Sequence, residues 1–167
     1  EPVHQIGCLI LEIRPAADRQ SPTVASLAAT AFMKTGRQQE ASDILEKALM
    51  VQWDARLLRA YRQCAAPEGS ATLLAQIEQG EQWLRERPND AELSLLLGAL
   101  CQKQKLWGKA QRHLEQAVLG ATDRLTLQEA HLRLAQMYES LGQADAAATH
   151  FRLCALTTKV PAPKAIA

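Results

Sequence analysis

Aromatic residues are scarce in this chain: two Phe, two Tyr and three Trp make up 4% of 167 residues. Proteins that hold single-stranded nucleic acid stack bases on aromatic platforms, and there is little here to build one from. An excess of one charge is also missing. The formal net charge of +1 carries no general attraction to nucleic acid or to anionic lipid. No stretch of about 18 apolar residues is present, which excludes a membrane-crossing helix within this sequence. There is no signal-peptide pattern either. The chain begins at Glu1 without a methionine. We read it as a fragment, compatible with an anchor upstream.

The four cysteines, Cys8, Cys64, Cys101 and Cys154, form no C-x-x-C pair. Each lies in an apolar, helix-like context, and a free cysteine behaves as a small, readily buried hydrophobe. Reduced, buried thiols are expected, which favours a reducing compartment. The four histidines, His4, His113, His131 and His150, include no H-x-x-x-H spacing for a helical zinc site. Phosphate-binding loops, G-x-S-x-G and G-x-G-x-x-G are all missing. We therefore expect no catalytic residues, no metal and no cofactor. The acidic residues Glu78, Glu81 and Glu86, mixed with Arg85 and Arg87, read as a solvated face.

What is present is helix. Apolar residues make up 47% and charged residues 22%, a globular balance. Ser21 followed by Pro22 is an N-cap with proline at the first helical position. Thr126 with Glu129, and Asn89 with Glu92, have the form of capping boxes. No segment alternates as a strand would.

Small residues recur within these helices at a fixed spacing. From Gly98, the residues at offsets twelve, sixteen and nineteen are Ala110, Leu114 and Ala117. From Ala135 they are Ala147, Phe151 and Cys154, and from Ala29 they are Ala41, Leu45 and Ala48. The residue three ahead of each origin is Cys101, Tyr138 or Phe32, and the one behind is Leu97, Leu134 or Ala28. Three matches in one register make a repeat of two antiparallel helices, which buries its apolar faces by stacking on its neighbours. Gly98, Ala135 and Ala29 are then notches where the paired helix approaches. Leu114 and Phe151 are expected to fill the space between units. Gly36 and Gly142 fall at the turns, where φ is positive, and Lys105 stands where the third glycine would be. The origins lie 69 and 37 residues apart. A worn unit therefore falls over residues 57–88, with Tyr61 in its first helix and Trp83 in its second. A longer turn is expected near 120–125.

The pattern resembles the tetratricopeptide repeat (TPR) family. The expected fold is all-α: a right-handed α-solenoid of stacked antiparallel helix pairs with about four repeats, one of them degenerate. Its units fall near 22–55, 56–88, 89–122 and 126–160. Residues 1–21 read as a linker or the remnant of a preceding helix over 6–13, and 161–167 as a frayed tail. "VQWDARLLRAY", "WLRERPNDAELSLLLGALCQKQKLWGKAQRHLEQA" and "LGQADAAATHFR" resemble the C-terminal TPR portion of the HemY family. These are bacterial inner-membrane proteins associated with protohaem IX synthesis. That resemblance implies a non-enzymatic scaffold at the cytoplasmic face of the inner membrane, which brings late haem-pathway enzymes together.

In TPR repeats the first helices line a concave binding face. The resemblance places Thr23, Ser26, Thr30 and Met33 there, then Leu58, Tyr61 and Arg62. It adds Glu92, Leu95, Ala99, Gln102 and Lys103, and last Glu129, Leu132, Arg133, Gln136 and Glu139. Tyr61 and Arg133 are the leading candidates, because Tyr and Arg are over-represented at hot spots. The partner expected is a protein, with no nucleic acid and no membrane insertion by this fragment. A homodimer stays open. Chaperone-tail clamps of this family use paired asparagines, and Asn89 is the only asparagine in the chain. The alternatives are a generic TPR adaptor in envelope or secretion assembly, and a carrier that binds haem or porphyrin through His131, His150, Cys101 or Tyr138.

Overall fold

The computed structural model describes residues 21–159, and all of its regular structure there is helical. His4, Cys8, the helix expected over 6–13 and the tail over 161–167 lie outside the described residues.

Eight helices follow one another: α1 (Pro22–Lys34), α2 (Gln38–Val51), α3 (Ala55–Gln63), α4 (Ala71–Glu86), α5 (Ala91–Lys103), α6 (Trp107–Gly120), α7 (Arg124–Ser140) and α8 (Ala144–Lys159). The chain divides into two compact units, Glu1–Glu78 and Gln79–Ala167. In the first, α1 packs on α2 and α3, and α2 on α3. In the second, α5 packs on α6 and α7, α6 on α7, and α7 on α8. This is the all-α, TPR-like arrangement of helix pairs that the spacing implies.

Three of the turns are built alike. Arg37 N–H donates to the Phe32 carbonyl at 2.9 Å, Leu106 N–H to Cys101 at 2.9 Å, and Gln143 N–H to Tyr138 at 2.8 Å. Inside each of these bonds a second runs from Gly36, Lys105 or Gly142 to Met33, Gln102 or Glu139. The pair is a Schellman closure, whose central residue must adopt positive φ. Gly36 (75°) and Gly142 (72°) do so freely. Lys105, at 60°, is the one non-glycine residue with positive φ among the described residues. The acceptors Phe32, Cys101 and Tyr138 share one register position, as do Ala41, Ala110 and Ala147, whose N–H groups open the second helices.

The cores follow that register. Ala29, Ala41, Leu45, Ala110, Leu114, Ala117 and Ala135 are wholly buried. A Cβ built on Gly98 would lie 2.6 Å from both Cγ and Cδ2 of Leu114. Leu114 therefore fills the notch inside the α5–α6 pair. Phe151 departs from the expectation: it is 38% exposed and fills no core.

Ser21 caps α1 as expected, accepting from Val24 N–H, but α5 and α7 are capped by aspartates and not by the residues expected. Asp123 accepts from Thr126 N–H, so Thr126 lies inside the first turn of α7. Asp90, not Asn89, caps α5 through Leu93 N–H. A carboxylate does this well, since it also faces the positive end of the helix dipole. The extra residues of the third interval are not in the turn, because only 121–123 separate α6 from α7. They lengthen α7 to 17 residues, against 13 in α5.

The worn unit differs most. Asp54 caps α3, which runs for only nine residues. The link over 64–70 turns at Gly69 (φ 76°), and Ser70 caps α4 through Leu73 N–H. The division between the two compact units falls inside α4, and the contacts of α4 show why. In the first unit, buried Gln76 donates to Ser42 Oγ at 2.7 Å and to the Cys64 carbonyl at 3.0 Å, and accepts from Ala66 N–H at 2.9 Å. In the second, Gly80 lies so close to Leu97 that a Cβ would sit 2.7 Å from its Cδ2.

Candidate functional site

In the first unit the neighbouring helices α1 and α3 flank an open cleft of about 470 Å³. Thr23, Ser26 and Thr30 line it from α1, one helical turn apart, with Leu27 beside them. Thr23 and Thr30 are exposed, Ser26 is half-buried, and Leu27 is 55% exposed. The Ser26 hydroxyl donates to the Pro22 carbonyl at 2.7 Å and the Thr30 hydroxyl to Ser26 at 2.9 Å. Their protons are committed to the helix, and their oxygens face the cleft as acceptors. Met33, at the end of α1, is half-buried and outside the lining.

The α3 wall is not the one expected. Leu58 and Tyr61 are wholly buried. The Tyr61 hydroxyl donates to Glu46 Oε1 at 2.7 Å, and burial then pushes its pKa far above the usual phenol range. Burial also raises the Glu46 carboxyl, against the lowering effect of that same bond. Tyr61 is therefore a core residue and cannot anchor a partner. The wall is formed by Arg56, Arg59 and Gln63, and Arg62 is half-buried outside it. The expected register came from the 34-residue period, but Asp54 starts α3 and its few turns show another face. The i, i+3, i+7 spacing of Arg56, Arg59 and Gln63 in "ARLLRAYRQ" is the signal that could have found them. Arg56 forms a two-pronged pair with Asp54, at 3.0 and 2.9 Å, which holds the Asp54 carboxyl below the usual range.

In the second unit, α5 and α7 lie side by side. Leu95 is wholly buried and Ala99 is 5% exposed, so both belong to the core and not to a binding face. Glu92 is also buried and accepts from the Thr126 hydroxyl at 2.7 Å. The outer end is different. Gln102 is half-buried and donates through Nε2 to the Arg133 carbonyl at 3.3 Å. Arg133 Nε donates to Glu129 Oε1 at 2.7 Å. Leu132 is half-buried, while Lys103, Gln136 and Glu139 are exposed. This face carries both charges and several amide groups.

The residues considered for haem separate in the same way. Cys101 is wholly buried, and burial pushes its thiol up to about 11, so it stays protonated and out of reach. His131 and His150 do come together across the α7–α8 hairpin, with their Nδ1 atoms 3.1 Å apart. Tyr138 stacks on His150 at 5.5 Å between ring centroids. Among the described residues no group of three His, Cys, Asp or Glu side chains is placed to hold a metal ion. No helix among them is long and apolar enough to cross a membrane.

The fold of this chain is similar to that of MamA. One MamA structure, "MamA AMB-1 P212121", superposes with a TM-score of 0.57 at 16% identity, over 94% of this chain and 90% of that one. Another, from Desulfovibrio magneticus RS-1, gives 0.57 at 17% identity, over 85% and 78%. A third, "Crystal structure of MamA", gives 0.56 at 16%, over 86% and 81%. At such identities the likeness to MamA is one of fold. No protein-family model matches the chain, and no curated protein matches it.

Proposed function

We propose that this chain is a non-enzymatic protein-interaction scaffold whose α1–α3 cleft takes a segment of a partner protein. The cleft itself carries the reading. It has the size of a side-chain-binding groove, acceptor oxygens on one wall, guanidinium groups on the other and an exposed leucine between them. Such a lining suits an extended or helical segment with a mixed polar and apolar face. The outer α5–α7 face, with Gln102, Lys103, Arg133, Gln136 and Glu139, is a second contact surface.

The finer form of this reading is a HemY-like scaffold at the cytoplasmic face of the bacterial inner membrane, supporting haem biosynthesis. Its support is the sequence resemblance alone. The test is a crosslinked pull-down from a bacterial membrane lysate, with the wild-type chain beside a Thr23→Arg/Thr30→Arg variant. Both side chains are exposed, so the variant fills the cleft without touching the core. Late haem-pathway enzymes recovered by the wild type and lost by the variant are the expected result. Recovery of another assembly through the cleft keeps the scaffold and overturns the haem assignment. Partners equally retained by the variant overturn the cleft.

A second reading, direct haem binding, is favoured by the juxtaposed His131 and His150. It requires a saturable Soret shift that His150→Ala abolishes, and a signal independent of that residue refutes it.

A further inference from the structure

The α7–α8 hairpin brings together two imidazoles nineteen residues apart in sequence, His131 and His150, with 3.1 Å between their Nδ1 atoms. Two nitrogens at that distance share one proton. One ring donates its Nδ1–H, and the other accepts on a bare Nδ1 and keeps its own proton on Nε2. The rings lie 5.3 Å apart at an angle of 36°. Neither is loosely held: His131 is 7% exposed, and Tyr138 is stacked on His150.

We propose that this pair is a two-imidazole chelating site for a divalent first-row transition-metal ion, Cu²⁺ or Ni²⁺ in preference to Zn²⁺, with its other coordination positions open. The geometry supplies the argument. Metal–imidazole bonds of roughly 2.0–2.1 Å across this separation give an angle at the metal of about 98°. That is close to the right angle between neighbouring ligands in tetragonal and octahedral complexes, which Cu²⁺ and Ni²⁺ favour. The site requires a small turn of each ring, so that both lone pairs meet at the ion beside the line joining the nitrogens. The ion then takes the place of the shared proton, which passes through solvent to the bare Nε2 of the donor ring, so that both imidazoles bind in the neutral form.

One nearby charge suits a cation. The carboxylate of Glu115 acts on both His150 and Tyr138 through its charge. A closed structural zinc site needs four protein ligands. Here no third His, Cys, Asp or Glu joins the pair among the described residues, so water or an added ligand completes the shell.

The test uses the untagged chain and NiCl₂, which spares the thiols the oxidation that Cu²⁺ causes. Calorimetric titration at about pH 7.5 is expected to show one Ni²⁺ per chain. His131→Gln and His150→Ala are each expected to weaken binding at least about tenfold. Ni²⁺ should also raise the melting temperature of the wild type and not that of either variant. His4→Ala and Tyr138→Phe should retain binding, and circular dichroism of each variant reports its folding. No binding at millimolar Ni²⁺, or binding unchanged in a folded His150→Ala chain, overturns the proposal.

Discussion

Gly98 and Leu114 occupy one another's space: a Cβ at 98 would fall 2.6 Å from both Cγ and Cδ2 of Leu114 and 3.2 Å from its backbone nitrogen. Leu114 is wholly buried and has no room to retreat. Alanine is the better helix former by about 1 kcal/mol. Even so, Gly98→Ala is expected to destabilise the chain by about 1–2 kcal/mol, because overpacking a close contact outweighs the propensity gain. Gly98→Leu should cost more. Gly108 is the control. It lies in helix α6 with nothing within 4 Å of its built Cβ, and Gly108→Ala should stabilise by up to about 1 kcal/mol. Denaturant midpoints of the three variants decide the point; equal shifts for Gly98→Ala and Gly108→Ala would refute it.

Lys105 holds the same Schellman position as Gly36 and Gly142, at a φ of 60°. An L side chain in that conformation costs roughly 1–2 kcal/mol, part of which glycine's greater loss of freedom offsets. Lys105→Gly is therefore expected to raise stability by about 1 kcal/mol, and Gly142→Lys to lower it by a similar amount. Thermal unfolding of both variants checks the pair of signs.

Gln76 satisfies three groups at once: the Ser42 hydroxyl, the Cys64 carbonyl and the Ala66 N–H. Gln76→Leu keeps the volume and leaves Ala66 N–H without that acceptor in a buried place. A loss of roughly 2–3 kcal/mol is expected, since a buried donor left unpaired pays its full desolvation cost. Hydrogen exchange at Ala66 should accelerate in the variant. An unchanged denaturation midpoint would mean that this network contributes nothing to stability.

Three histidines link stability to pH. His113 is almost wholly buried, and neither ring nitrogen has a hydrogen-bond partner, since Gln116 comes near without hydrogen-bond geometry. Burial, then the Arg112 charge, pushes His113 below its ordinary value of 6.5. Burial does the same to His131, with the His150 ring adding to it, and to His150, where Glu115 opposes it. A depressed histidine binds more protons unfolded than folded. Its contribution is complete above about 6.5 and is lost as pH falls through the lower folded value. The chain should therefore weaken as the pH falls from about 7 through the lowered folded values. Replacing His113 by Leu should flatten that slope and stabilise the chain near neutrality, because an unpaired buried polar ring is removed. A slope equal to that of the wild type would refute the assignment of His113.

Much of this protein was determined by short-range chemistry that the sequence states openly. The Ser21–Pro22 start, the turns at Gly36, Lys105 and Gly142, and the small residues facing the paired helices each depend on neighbours a few turns away. Their recurrence in register therefore identifies the helix pairs. The aspartate caps were legible too, but lay within a residue or a turn of the Asn89 and Thr126 caps expected. Only the tertiary structure decided the open face of α3, because Asp54 and the short length of that helix override the 34-residue period and turn Leu58 and Tyr61 inward. It alone joined Gln76 to Ser42, and it set the 3.1 Å between the Nδ1 atoms of His131 and His150. Such meetings require a distance in space between residues well apart in the chain, which periodicity along one helix does not contain.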